Sequence, residues 1–486
     1  MTQTTTKPTT QTTGGRAGAL HADPRVAQAL DALAASVADA RATINDVRPA
    51  DASRRTQFED LLDSAANVRG RPLLYPYIGS GLGAGPLVEL ADGSVKFDMI
   101  EGIGVHFFGH SDGDLVRTAV EAALADTVMQ GHLQMNAEAI TFGRTLVDQA
   151  AKSSKLAHAF LCCSGAMANE NALKVCMQKH HPADRVLAFS HCFMGRSTTM
   201  SQIGDSAAGR VGLPVWAHVD YVPFYDADLA RREGQDAAIK KSVADLEAHI
   251  QRYPGRHACF VFELVQGEGG FNQAPADFHK ALMEVCKENS IAVSVDEIQT
   301  FGRTMRMFCF DALGLGDYVD VVTIGKMSQV CAALFTDDYN PKPGLLSGTF
   351  LGSTVGLRVG KRIIERLRDG EYYGDNGAIA RHHDIFREHV HALAKKHPDW
   401  FPVTAKAPDI VGGFGGMMRF TPFGGDKQAI LSLCKTMFEQ GVIAFYCGHG
   451  PFHVRFLPPL GVMQEADWPR VFAIVESSLA KVAQTK

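Results

Sequence analysis

The chain has 486 residues, 46% of them apolar and 21% charged, with a formal net charge of -5. That length calls for two or more domains, and the near-neutral balance gives no electrostatic footprint for nucleic acid. No run approaches the roughly 18 consecutive apolar residues of a membrane span, and ten cysteines scattered without a CxxC pair fit a reducing cytoplasm.

Taken in chain order, residues 1–22 are rich in Thr and nearly devoid of apolar side chains, which predicts a disordered tail rather than a signal or transit peptide. Residues 23–110 begin with two stretches of helical periodicity. They continue as short alternating runs divided by glycines, with Asp92-Gly93 as a hairpin signal, so a small antiparallel sheet is expected. Helices are expected from Leu115 to about Val128 and from Ala137 to Lys152. From Leu156, brief apolar runs alternate with helical stretches up to about residue 350. This is the βα rhythm of a mostly parallel sheet covered by helices on both faces, and it assigns 111–350 to a large α/β domain. Residues 351–486 change to long helices and short strands, hence a smaller α+β domain.

The chemistry gathers at strand ends, where open parallel sheets hold ligands. One apolar run ends in Asp296, and the next ends in Gly325-Lys326. Desolvating an ammonium is costly unless the group is paired or used, so Lys326 is a candidate nucleophile with a lowered pKa. The small-residue turn Ser164-Gly165-Ala166 opens a helix whose free amides suit a phosphate. Phe193 and Arg196 follow the next strand end, offering a stacking face and a carboxylate clamp. Glu263 and Glu268 flank a glycine-rich loop, where a half-buried acid must find a cation or keep its proton. An amine that forms Schiff bases beside a carboxylate able to hold a ring nitrogen protonated is the logic of pyridoxal phosphate chemistry.

In order and spacing, SGAMANENALK, FMGRS, ELVQGEGGF, VDEIQTFGRT, TIGK and GTFLGS resemble the class III (omega) pyridoxal-phosphate aminotransferases, over about Gly79 to Leu460. The resemblance implies fold type I, with a seven-stranded sheet and pyridoxal 5'-phosphate as cofactor. It implies that Lys326 is joined to the cofactor and shuttles the proton, that Asp296 pairs with the ring nitrogen and Gln299 with the ring hydroxyl, and that Phe193 stacks on the ring. Ser164, Gly165 and Ala166 would hold the phosphate, with Glu263 also in the cofactor site. Thr349 would reach the phosphate of a neighbouring subunit, which implies a homodimer with shared sites. Arg455 matches the arginine that takes an α-carboxylate, Arg196 the one that grips the distal carboxylate of 2-oxoglutarate, and Glu268 a gate that neutralises Arg455 when a donor lacks that carboxylate.

The expected reaction is transfer of the terminal amine of an ω-amino compound, such as lysine, ornithine or 4-aminobutyrate, to 2-oxoglutarate, and the sequence after Lys326 is similar to lysine 6-aminotransferases. The same scaffold also supports racemisation, internal amine transfer or decarboxylation, or a non-catalytic binding role. The sequence departs from the family pattern in a loop shortened by one residue after Gln299, and at Met167, Met194 and Ser353-Thr354. It also departs at Glu101, where the pocket is usually lined by small or apolar groups; that carboxylate reads either as a contact for a second donor amine or as a strand-edge residue.

Overall fold

The protein is described by a computed structural model that covers residues 15–404 and 407–484. Most of the expected tail lies outside the described residues, but Arg16–His21, assigned to it, is a short helix.

Seven strands form the central sheet: β1 (Leu156–Cys162), β2 (Arg185–Phe189), β3 (His218–Val222), β4 (His257–Glu263), β5 (Ala292–Asp296), β6 (Val321–Ile324) and β7 (Cys331–Thr336). Their spatial order is β1-β7-β6-β5-β4-β2-β3. Pairing is parallel from β6 through β5, β4 and β2 to β3. Strand β7 alone runs antiparallel, to both β6 and β1. The link from β6 to β7 explains the reversal, because a parallel return needs a dozen or more residues and Gly325–Val330 is far shorter. Every residue of β4, β5 and β6 is buried, so these strands read in the sequence as predominantly apolar runs without alternation.

Helix α1 (Gly165–Lys179) follows β1 and packs under the sheet centre. After β7 the chain enters α2 (Thr354–Asp369) and α3 (Ala378–Lys396). Arg362 and Arg366 of α2 reach Asp114 and Asp112 at 2.8 and 2.6 Å. These acids lie at the start of the helix Gly113–Ala122, the end where its dipole favours them. That helix stops short of the expected Val128, because Met129–Gln130 leave it to pair with Gly352–Ser353.

A second sheet contains β8 (Val411–Phe414), β9 (Met417–Phe420), β10 (Phe445–Cys447) and β11 (His453–Phe456), in the order β8-β9-β11-β10 and antiparallel throughout. The expected N-terminal meander is present as Gly79–Ala84, Leu87–Leu90 and Val95–Asp98. Its last strand pairs in parallel with Val442–Ile443, so the N- and C-terminal parts of the chain share one sheet.

Candidate active site

Asp296 closes β5 opposite Thr323 of β6, which leaves Lys326 just past the end of the neighbouring strand, on the turn Lys326–Ser328. The lysine has φ 51, a left-handed value that costs a residue bearing a Cβ. Gly325 before it is required by crowding, since a Cβ there would come within 2.9 Å of Cys331 Sγ. Burial lowers the Lys326 pKa, and the charge of Asp296 opposes that shift. Burial also raises the carboxyl of Asp296. Against this, Asn169 Nδ2 donates to Asp296 Oδ2 at 2.7 Å and the Ile298 amide donates to Oδ1 at 2.8 Å. Asn169 is itself held by Thr323, whose hydroxyl donates to Asn169 Oδ1 at 2.7 Å. Residue-by-residue reading missed this asparagine, although it lies in the same SGAMAN motif, one turn into α1 from Ser164.

Ser164 caps α1, its Oγ accepting from the Met167 amide at 3.2 Å. The amides of Gly165 and Ala166 open the helix and have no carbonyl within it to bond. Gly165 allows a close approach, because a Cβ would meet Ile298 Cδ1 at 2.7 Å. Gly195, from the second motif, sits on Ala166, and a Cβ at 195 would lie 2.7 Å from Ala166 Cβ. The first two motifs are therefore in contact.

Glu263 ends β4 and ties the third motif to the second. Its Oε2 accepts from the Phe193 amide at 3.0 Å and its Oε1 from the Gly267 amide at 2.9 Å. Burial, with Asp296 nearby, pushes its carboxyl up to about 8. Gln299 reaches the same place: a Cβ at Gly267 would fall 2.2 Å from Gln299 Oε1, and that oxygen is buried without a hydrogen-bond partner. The guanidinium of Arg196 lies 5.4 Å from the Phe193 ring, and Arg196 itself is exposed.

Arg455 on β11 is completely buried, and its Nη2 lies 2.8 Å from Glu268 Oε1. The contact is ionic rather than an aligned hydrogen bond, because all three guanidinium nitrogens lack an in-line acceptor. Phe271 and Phe445 flank the guanidinium at 5.8 and 5.2 Å. Ser164, Gly165, Ala166, Phe193, Glu263, Asp296, Gln299 and Lys326 thus converge where β1, β2, β4, β5 and β6 end, and Glu268 and Arg455 meet on one face of the C-terminal sheet. Thr349 is exposed, on a segment anchored by a hydrogen bond from the His132 amide to the Gly348 carbonyl at 3.0 Å.

Glu101 is neither a strand-edge residue nor open to a cavity. It begins a left-handed turn, Glu101–Gly104, with φ of 51, 63, 65 and 86, packed on the turn that carries Lys326. It has 0% exposure and both carboxylate oxygens lack hydrogen bonds, so burial drives its pKa well up, against the pull of Arg303.

Residues 78–476 match the family model of the class-III aminotransferases. The chain is 27% identical over 409 residues to the mitochondrial acetylornithine aminotransferase of Eremothecium gossypii, covering 80% of this chain and 87% of that one. It is 23% identical over 408 residues to the diaminobutyrate–2-oxoglutarate transaminase of Wolinella succinogenes, covering 81% and 90%. Among solved structures, the lysine aminotransferase of M. tuberculosis in its internal aldimine form shares the fold, with a TM-score of 0.74, 23% identity and coverage of 87% and 99%. The ornithine aminotransferase of Toxoplasma gondii ME49 does so with a TM-score of 0.72, 19% identity and coverage of 88% and 96%.

Proposed function

The chain belongs to the class III aminotransferases, and on that premise we propose that it moves the terminal amine of an ω-amino compound to 2-oxoglutarate, giving an aldehyde and glutamate. Enzymes of this class work with pyridoxal 5'-phosphate, and the residues present fit that group. Gln299 Oε1 is a buried acceptor that a ring hydroxyl would satisfy, and the absence of a Cβ at Gly165 and Gly267 lets Ile298 and Gln299 close in on the phosphate turn and the glycine-rich loop. Bound, the cofactor supplies a ring that draws off the electrons left when a C–H bond beside the donor nitrogen breaks.

Around it, the chain's own groups divide the work. Asp296 would hold a proton on the ring nitrogen, and Asn169 keeps the carboxylate aimed. Ser164 and the amides of Gly165 and Ala166 would hold the phosphate, while Phe193 would stack on the ring. Glu263 fixes the backbone of Phe193 and Gly267. Lys326 Nζ, whose pKa burial lowers, would attach the cofactor and, once released, take the proton from the donor carbon. Arg196 holds the distal carboxylate of the acceptor. Exposed Thr349 serves the phosphate site of a second copy, making a homodimer with shared sites. The ten cysteines are free thiols, in keeping with a cytoplasmic enzyme. No helix of the described residues is long and apolar enough to cross a membrane.

The observation that carries the ω-amine reading is the Glu268–Arg455 contact. With Glu268 in place, a donor that brings no carboxylate meets a neutralised arginine. With Glu268 turned away, 2-oxoglutarate meets a free one. Lysine, ornithine and 4-aminobutyrate are the first donors to test, together with acetylornithine and diaminobutyrate, which name two relatives. A donor screen against 2-oxoglutarate that follows glutamate tests the proposal. Turnover of a donor with no oxo acid present would sink it in favour of another pyridoxal reaction.

A further inference from the structure

The face of the C-terminal sheet that carries Arg455 carries a second arginine beside it. Arg419 on β9 is the register partner of Arg455 on β11, so both side chains leave the same face. Like charges directly opposite one another destabilise a strand pair, and each arginine therefore calls for an anion. Arg455 has Glu268. For Arg419 no carboxylate lies within ion-pair distance among the described residues; Asp409, which acts on it from further off, is bound to Arg231 at 3.1 Å.

The guanidinium of Arg419 is held in place all the same. Its Nη1 donates to Thr421 Oγ1 at 3.1 Å and to His453 Nδ1 at 3.3 Å. Burial, with Arg419 alongside, lowers the His453 pKa to about 2, so this imidazole stays neutral and adds no charge. Across β8, Gly412 is the register partner of Arg419, and a Cβ there would lie 2.8 Å from the guanidinium carbon. The plane thus rests on backbone that only glycine leaves clear. What remains is the edge formed by Nε and Nη2. Nε is buried without a partner, and among the described residues the guanidinium's hydrogen bonds all come from Nη1, leaving Nη2 free. These two nitrogens are the side-on fork that matches a carboxylate.

Arg419 lines a cleft of about 1290 Å³ between the large domain and the C-terminal domain. Phe224, Tyr225 and Phe414 supply aromatic wall, and Arg387 adds a second cation. Neither Lys326 nor Asp296 lines the cleft. Phe271 does, and it also stands 5.8 Å from the Arg455 guanidinium, which puts it between the two spaces. We propose that this cleft is a second binding site, separate from the catalytic one, for a small organic anion that joins a carboxylate to a planar apolar body. The carboxylate takes the free edge of Arg419, and the body lies among the aromatic side chains, where offset and edge contacts favour a flat ring.

The probe is 4-bromobenzoate, titrated calorimetrically into the cofactor-loaded enzyme and soaked into its crystals, where anomalous scattering locates the bromine. The expected result is a bromine peak in the cleft with the carboxylate on Arg419, and affinity weakened about tenfold or more in Arg419→Met. Arg387→Ala, a change at an exposed side chain, should weaken binding about two- to fivefold. A bromine peak only beside Arg455, no peak at all, or unchanged affinity in a folded Arg419→Met would overturn the proposal. If Arg419→Met does not fold, the bromine position and Arg387→Ala decide: a peak in the cleft with weakened binding upholds the site, and failure of either removes it.

Discussion

Replacing Glu268 by Ala should separate the two kinds of substrate. In the resting protein the change leaves Arg455 completely buried, with Nε, Nη1 and Nη2 all lacking acceptors. Removing one partner of a fully buried pair costs about 3–5 kcal/mol. The Glu268 side chain is 35% exposed, so solvent screening brings the expected figure down to about 2 kcal/mol. At about 1.4 kcal/mol per factor of ten, that is roughly thirtyfold. Its sign depends on the substrate. A donor with no carboxylate at that point shuts out the solvent that screens the unpaired cation in the free enzyme, a further cost of about the same size, so its kcat/KM should fall roughly thirtyfold. An acceptor whose carboxylate neutralises Arg455 no longer has to displace Glu268, so the KM for 2-oxoglutarate should fall instead. Following each half-reaction alone through the visible band of the cofactor keeps the two effects apart. Equal losses with ω-amine donors and with α-amino donors, or an unchanged KM for 2-oxoglutarate, would refute the reasoning.

Lys326→Ala should yield a folded protein that binds the cofactor without a covalent link and loses at least about a thousandfold in kcat; its absorption spectrum and single-turnover rate check this, and near-normal turnover would overturn the assignment. Asn169→Ala removes the hydrogen bonds to Asp296 and Thr323, with an expected stability loss of about 1–3 kcal/mol in urea unfolding and weaker retention of cofactor. Wild-type values on both measurements would show Asp296 to be held by other contacts. For Glu263, burial lifts the folded carboxyl to about 8 from an ordinary 4.5. Between those values the unfolded chain has lost a proton that the folded chain keeps, so the stability of cofactor-free protein should fall as pH rises, by up to about 1.4 kcal/mol per unit. Glu263→Gln should flatten that slope in urea midpoints taken from about pH 5 to about pH 8, and an unaltered slope would assign it to other groups.

The strand ends were legible because burial on both faces leaves a plain signature. The fully buried β5 and β6 are written mostly in apolar, branched residues, so Asp296 at the end of one and Lys326 just past the other stand out. The turn Ser164-Gly165-Ala166 was legible for a different reason, since a serine followed by two small residues is how a helix start is capped and cleared. What periodicity does not encode is backbone handedness or which side chains meet across a sheet. The left-handed turn from Glu101 to Gly104 contains two residues with side chains, so only its glycines hinted at it. The pairing of Arg419 with Arg455 depends on a register set by the β8–β9 hairpin and by the long excursion to β11, which composition does not reveal. Asn169 lay in a recognised motif, but its partner Asp296 is 127 residues away and becomes visible only when β5 is laid over α1.

The ladder between β5 and β6 divides the enzyme into a part that cannot drift and a part that can. Asp296 faces Thr323 across a parallel pair, and Lys326 follows within three residues. Their separation is set by strand spacing, a dimension common to all sheets. Glu268 and Arg455 are placed quite differently, one on a glycine-rich turn and the other on a strand of the second sheet. Substitutions there can accumulate without moving the carboxylate or the amine. A lineage built on this arrangement can redraw the second sheet and the glycine-rich turn while the ladder that fixes the carboxylate and the amine is inherited intact.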